Sequence, residues 1–164
     1  MLRFSSLLLL SLTLLLVSCE DPMLQQQIAA RNAAIAGEPQ GDYFIGRRYY
    51  IEHTQFWGYL RRPGQTWDDS KLVVMNENQK LAPDRLPEAP AGDGPAHGYD
   101  HNREYKIFGH FSGNRIYDPN SDLFLPEFVL TGYEVRNESP GWLFKPNEKF
   151  NGSQLLRAEP GTTP

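Results

Sequence analysis

The chain has little that would staple it, steer it or mark it by motif. Cys19 is the one cysteine among 164 residues, so an intramolecular disulfide is excluded and packing must hold the fold. Positive charge is scarce and dispersed: the net charge is −4. Arg47-Arg48 and Arg61-Arg62 fall on expected strands, where adjacent side chains point to opposite faces. A basic patch for nucleic acid or an anionic membrane surface is thereby excluded. There is no Gly-x-Ser-x-Gly elbow, no His-Glu-x-x-His helix, no phosphate-cradling glycine loop and no internal repeat. No pattern calls for a cofactor.

What is there begins with a leader. Arg3 supplies a positive charge, and Phe4 to Val17 is almost unbroken leucine. An apolar stretch of about 14 residues suits an export signal and falls short of the roughly 20 needed to span a bilayer. Leu16-Val17-Ser18-Cys19 resembles the lipobox of bacterial lipoproteins, a resemblance confined to residues 1 to 19. It implies cleavage before Cys19, a diacylglycerol thioether on that cysteine and an acylated (for example palmitoylated) new amino terminus. Two or more acyl chains anchor a protein stably. The implied site is the cell envelope, attached to a membrane through lipid. Glu20 stands where an aspartate would retain an enterobacterial lipoprotein in the inner membrane, which favours the outer membrane, facing the periplasm.

Loss of residues 1 to 18 leaves 146 residues with a net charge of −5, enough for one domain. Residues 19 to 41 read as a tether with a short helix: Asp21-Pro22 offers the start, Gly37 the stop, and Leu24, Ile28 and Ile35 a thin stripe. From Asp42 the period becomes two. Strands are expected over Tyr43–Glu52, Gln55–Arg62, Lys71–Met75, Arg103–Ser112 and Leu123–Val135, the last interrupted by Pro126. Gly113-Asn114 reads as a turn, with Arg115–Tyr117 pairing back. Ala82 to His101, rich in proline and glycine, is a long loop of the kind that is functional or disordered. Residues 137 to 164 read as a strap that docks through Trp142 and then frays. The expectation is a mainly β domain over 42–136, a single small barrel or sandwich, with an OB-type barrel fitting the strand count and the insertion.

Four constellations could carry chemistry. Asp118, Asn120 and Asp122 open like a calcium loop, but Leu123 and Val129 stand where such a loop needs glycine and glutamate; the same residues build an ordinary turn. His97 and His101, near Asp93 and Asp100, have helical spacing in a segment unsuited to a helix. Asp68, Asp69, Glu104 and Glu127 are carboxylates of the sort a glycosidase pairs, without a pattern that pairs them. Trp57, Tyr59 and Trp67 could present a stacking platform to sugar rings or apolar side chains, the alternative being that both faces of their strand are covered. The balance favours a non-enzymatic binding or structural component of the envelope, with an envelope protein or glycan as partner. The alternative is a small hydrolase or carbohydrate-active enzyme with its site near the 82–101 loop.

Overall fold

The computed structural model describes residues 21–51, 55–83, 100–119 and 121–145, with residues 50, 51 and 55–57 described by backbone alone. The leader with Cys19, the stretch 84–99 and the tail from 146 lie outside the described residues. The chain divides into a unit ending at Ala34 and one running from Ile35 onward. The first carries most of helix α1, Pro22–Ala36. Asp21 caps it, its Oδ1 accepting the Met23 amide at 3.0 Å. No helix of the described residues is long and apolar enough to cross a membrane.

The second unit is a closed barrel of five strands: β1 Phe44–Ile51, β2 Gln55–Arg61, β3 Lys71–Asn76, β4 Glu104–Asp118 and β5 Leu123–Asn137, in the order β1-β2-β3-β5-β4. All pairs are antiparallel except β3 with β5. Closure comes from Phe44–Arg47 pairing with Glu104–Ile107, so the molecule is a barrel of the OB-type order and not a sandwich. A 3-10 turn, Trp67–Asp69, joins β2 to β3.

Two strand expectations are corrected. Gly113-Asn114 does not turn the chain back, because β4 runs unbroken from Glu104 to Asp118 and pairs with β5 on both sides of a register shift between Phe111 and Arg115. The carboxylate of Glu127 holds that bulge, accepting from Ser112 Oγ at 2.6 Å, Asn114 Nδ2 at 3.1 Å and Asn76 Nδ2 at 2.7 Å. Nor does Pro126 interrupt β5: it is the partner of Arg115, at the bulge, where a missing N–H is tolerated.

Consecutive residues are buried at Phe44–Arg47, Gly58–Arg61 and Leu72-Val73, so both faces are covered there and the alternation in the sequence is imperfect, whereas β4 is exposed from His110 to Tyr117. Phe44, Leu60, Val73, Tyr105, Ile107, Phe128 and Leu130 form one cluster drawn from all five strands, the barrel interior. Their chain neighbours Ile45, Tyr59 and Leu72 point the other way, joining Leu125 in a second layer capped by Ile35, Trp67 and Leu143. The strap therefore docks through Leu143, 1% exposed, rather than through the half-buried Trp142. Phe44 and Phe128 of that cluster meet the exposed Phe111 edge to face, with centroids 5.0 to 5.6 Å apart.

Gly109 sits at a second register shift, with φ of 151°. A Cβ there would lie 2.1 Å from the Val129 carbonyl oxygen and 2.6 Å from the Phe128 ring. We expect Gly109→Ala to cost at least about 2 kcal/mol in urea denaturation, since strain and overpacking act together; an unchanged midpoint would contradict this packing.

Candidate functional site

On the outer layer, strand alternation puts one arginine of each pair inward against the capping segments. Arg47 and Arg61 are 3% and 2% exposed. Arg61 binds Glu38 in a fork, Nη1 to Oε2 at 2.6 Å and Nη2 to Oε1 at 2.7 Å, and the Gly64 amide adds a third bond to that carboxylate. Arg136 Nη1 lies 2.9 Å from Glu38 and also binds Glu104. Glu104 accepts from Arg47 through Nε and Nη2, both at 3.4 Å. The Trp67 ring closes the circle, 5.0 Å from the Arg47 guanidinium and 4.7 Å from that of Arg61. Three arginines face two carboxylates, and backbone carbonyls take up the excess: Arg47 donates to Pro140 and Gly141, Arg61 to Gln65. Burial alone would raise the Glu38 carboxyl; the Arg61 and Gly64 hydrogen bonds and the charges of Arg61 and Arg136 outweigh it and hold it below its ordinary value. With both carboxylates saturated by the chain itself, this circle is a clamp and offers no open position to a substrate.

The open position is a cleft of about 290 Å³ at the barrel mouth. Its walls are mostly apolar, among them Val73, Met75, Ile107 and Leu130, with Gly46 and Gly58 on the neighbouring strands. Arg48 borders it and reaches the fully buried Asp100, Nη1 to Oδ2 at 3.4 Å, beside the Tyr105 hydroxyl, which donates to the same oxygen at 3.0 Å. Two carboxylates, Glu77 and Asp118, line it. Each already caps a turn: Glu77 accepts the Ala82 amide at 3.1 Å, and Asp118 accepts the Ser121 amide at 2.7 Å and the Ser121 hydroxyl.

The aromatic platform is placed differently from the expectation. Tyr59 is 0% exposed and Trp67 4%, so both serve packing, as the covered-face alternative had it. The Trp57 side chain lies outside the described residues. Solvent-facing aromatics occur instead on the β4–β5 hairpin, at Tyr117 (46%) and Phe124 (41%). They are register partners with centroids 5.3 Å apart. They flank the Asp118–Asp122 turn, but reading Gly113-Asn114 as a hairpin hid their pairing.

In that turn Asp118 caps, and Asp122 accepts the Tyr117 hydroxyl at 2.8 Å, a bond that with the Asp122 charge holds the phenol above its ordinary value. Asn120 lies outside the described residues, and among those described no three His, Cys, Asp or Glu gather as a metal site would need. His101 packs on Tyr49, centroids 4.9 Å apart; His97 and Asp93 lie outside. The four carboxylates a glycosidase might pair have separate partners: Asp68 Lys145, Asp69 Thr66, Glu104 the clamp and Glu127 the bulge. No protein-family model, curated protein or solved structure matches the chain.

Glu38 and Glu127 are both depressed in the folded state. For Glu127 the hydrogen bonds from Ser112, Asn114 and Asn76 outweigh its slight desolvation. A carboxyl whose folded value is lowered contributes stability above its unfolded value, ordinarily 4.5, and loses it as pH falls through the folded value. The thermal midpoint is therefore expected to drop below about pH 4.5. Glu38→Gln should flatten that dependence while costing about 3–5 kcal/mol at neutral pH, because Arg61 stays buried without its carboxylate. A pH profile identical to the wild type would contradict this account.

Proposed function

We propose that the protein is a lipid-anchored, extracytoplasmic binding component of the cell envelope, held through Cys19 on the outer membrane's periplasmic side and receiving an envelope protein or glycan at the barrel mouth. The observation that carries this is the cleft: about 290 Å³, apolar-walled, edged by the Arg48–Asp100 pair and bounded by the Ile116–Pro119 segment of the hairpin. Largely apolar clefts with a few fixed polar groups are the usual form of binding sites. The lipobox-like Leu16-Val17-Ser18-Cys19 supports the anchor. A second reading, a small hydrolase or carbohydrate-active enzyme, draws on Glu77 and Asp118 sharing the cleft beside the start of the 82–101 loop. Both carboxylates are occupied by turn donors, so binding is preferred.

Two measurements test the proposal. Cys19→Ala should abolish fatty-acid labelling and release the protein from membranes, and retained labelling and processing would refute the anchor. Pull-down from detergent-solubilised envelopes should recover partners with the wild type and lose them with Met75→Trp or Ile116→Arg, substitutions at partly exposed lining positions. Recovery of the same partners by all three proteins would remove the cleft from the function. Tyr59→Ala is unsuited to this purpose, since it would open a cavity in the core.

A further inference from the structure

We propose that the barrel mouth recognises a saccharide, with a pyranose ring stacked on Tyr117 and Phe124; this names the ligand class for the binding reading above and rests on it. Five of the exposed large hydrophobics, Phe111, Ile116, Tyr117, Phe124 and Val135, lie on β4 and β5, Ile116, Tyr117 and Phe124 beside the turn between them. Tyr117 belongs to both features, lining the cleft and carrying 46% exposure. Its ring does not swing freely: the hydroxyl is tied to Asp122 Oδ1 at 2.8 Å, and Asp122 is itself held in the left-handed region at φ 56°. Phe124 stands across from it at an interplanar angle of 52°, so the two rings form a shallow, preset corner.

Polar groups stand beside the corner. Arg115, on the same face of β4, donates to the Phe124 carbonyl; Asp122 follows the turn, and Asp118 lies at the cleft edge. An aromatic face carries partial negative charge, and the axial C–H bonds of a pyranose present partial positive charge to it. The equatorial hydroxyls then meet carboxylate and guanidinium groups at the ring's edge. Other occupants fit less well. A nucleobase would stack too, but its phosphates require a basic groove; the chain carries a net charge of −4, and the cleft's two arginines, Arg47 and Arg48, are paired with Glu104 and Asp100. A lipid or the apolar face of a partner would strand Arg115 and Asp122 against hydrocarbon.

The test uses the full chain in detergent micelles with N-acetylglucosamine and glucose tetramers as probes, read by saturation-transfer NMR. At least one tetramer is expected to receive saturation, strongest at the ring protons of one sugar face. Tyr117→Ala/Phe124→Ala should weaken binding at least about tenfold, equivalent to ~1.4 kcal/mol. Tyr117→Phe, which keeps the ring, should change it less than about threefold. Thermal melts matching the wild type would show that the variants are folded. Absence of transfer to either tetramer, or equal binding by the double variant, overturns the inference. If the tetramers fail while Met75→Trp and Ile116→Arg still abolish partner recovery, the ligand class is wrong and the binding reading stands; if both experiments fail, both readings fall.

Discussion

The rest of the structure depends on the clamp in which Arg47, Arg61 and Arg136 alternate with Glu38 and Glu104 around the Trp67 ring. Four of these charges, Glu38, Arg47, Arg61 and Glu104, are buried, and the cost is offset only when nearly every donor and acceptor is used. Here the partners come from the segment after α1, from β1, β2, β4 and β5, from the 3-10 turn and from the strap at Pro140-Gly141. The clamp thus fixes how the capping segments lie over the sheet. It also penalises register errors: a two-residue slip of β1 would put Ile45 or Tyr49 opposite Glu104 and leave a buried carboxylate without its arginine.

That outer face is closed by Trp67, Leu143 and Phe144, whereas the barrel mouth and the hairpin beside it keep an open cleft. The two are linked through Ile116 and Tyr117, whose strand passes from the Glu127-held bulge to the edge of the cleft. The clamp and the cleft lie on different faces of one sheet. The bulge lets β4 serve both, staying paired to β5 while leaving the barrel wall.

Much of the fold was legible in the residues: the change of period at Asp42, four strand positions to within a few residues, the Asp118–Asp122 turn and a barrel as one of two architectures. Failures came where a distant group overrode a local signal. Gly113-Asn114 is a good turn locally, but Glu127 captures Ser112 and Asn114 and keeps the strand running. Trp142 is the conspicuous aromatic of the strap, yet the smaller Leu143 faces the core. Opposite orientation within each arginine pair followed from strand geometry; which member would be buried did not, because it is decided by carboxylates 23 and 57 residues away. That Tyr59 and Trp67 are buried was not legible, because the segments that cover them leave no mark near them in the sequence.

The same reach has a kinetic consequence. Arg47 meets the Gly141 carbonyl across 94 residues and Glu104 across 57, so the clamp closes only after the long loops of the chain have closed. If contacts of that separation consolidate after the folding barrier, they govern how fast the native protein comes apart rather than how fast it forms. The clamp is in that sense a brake on unfolding: its hold is measured in the lifetime of the closed barrel.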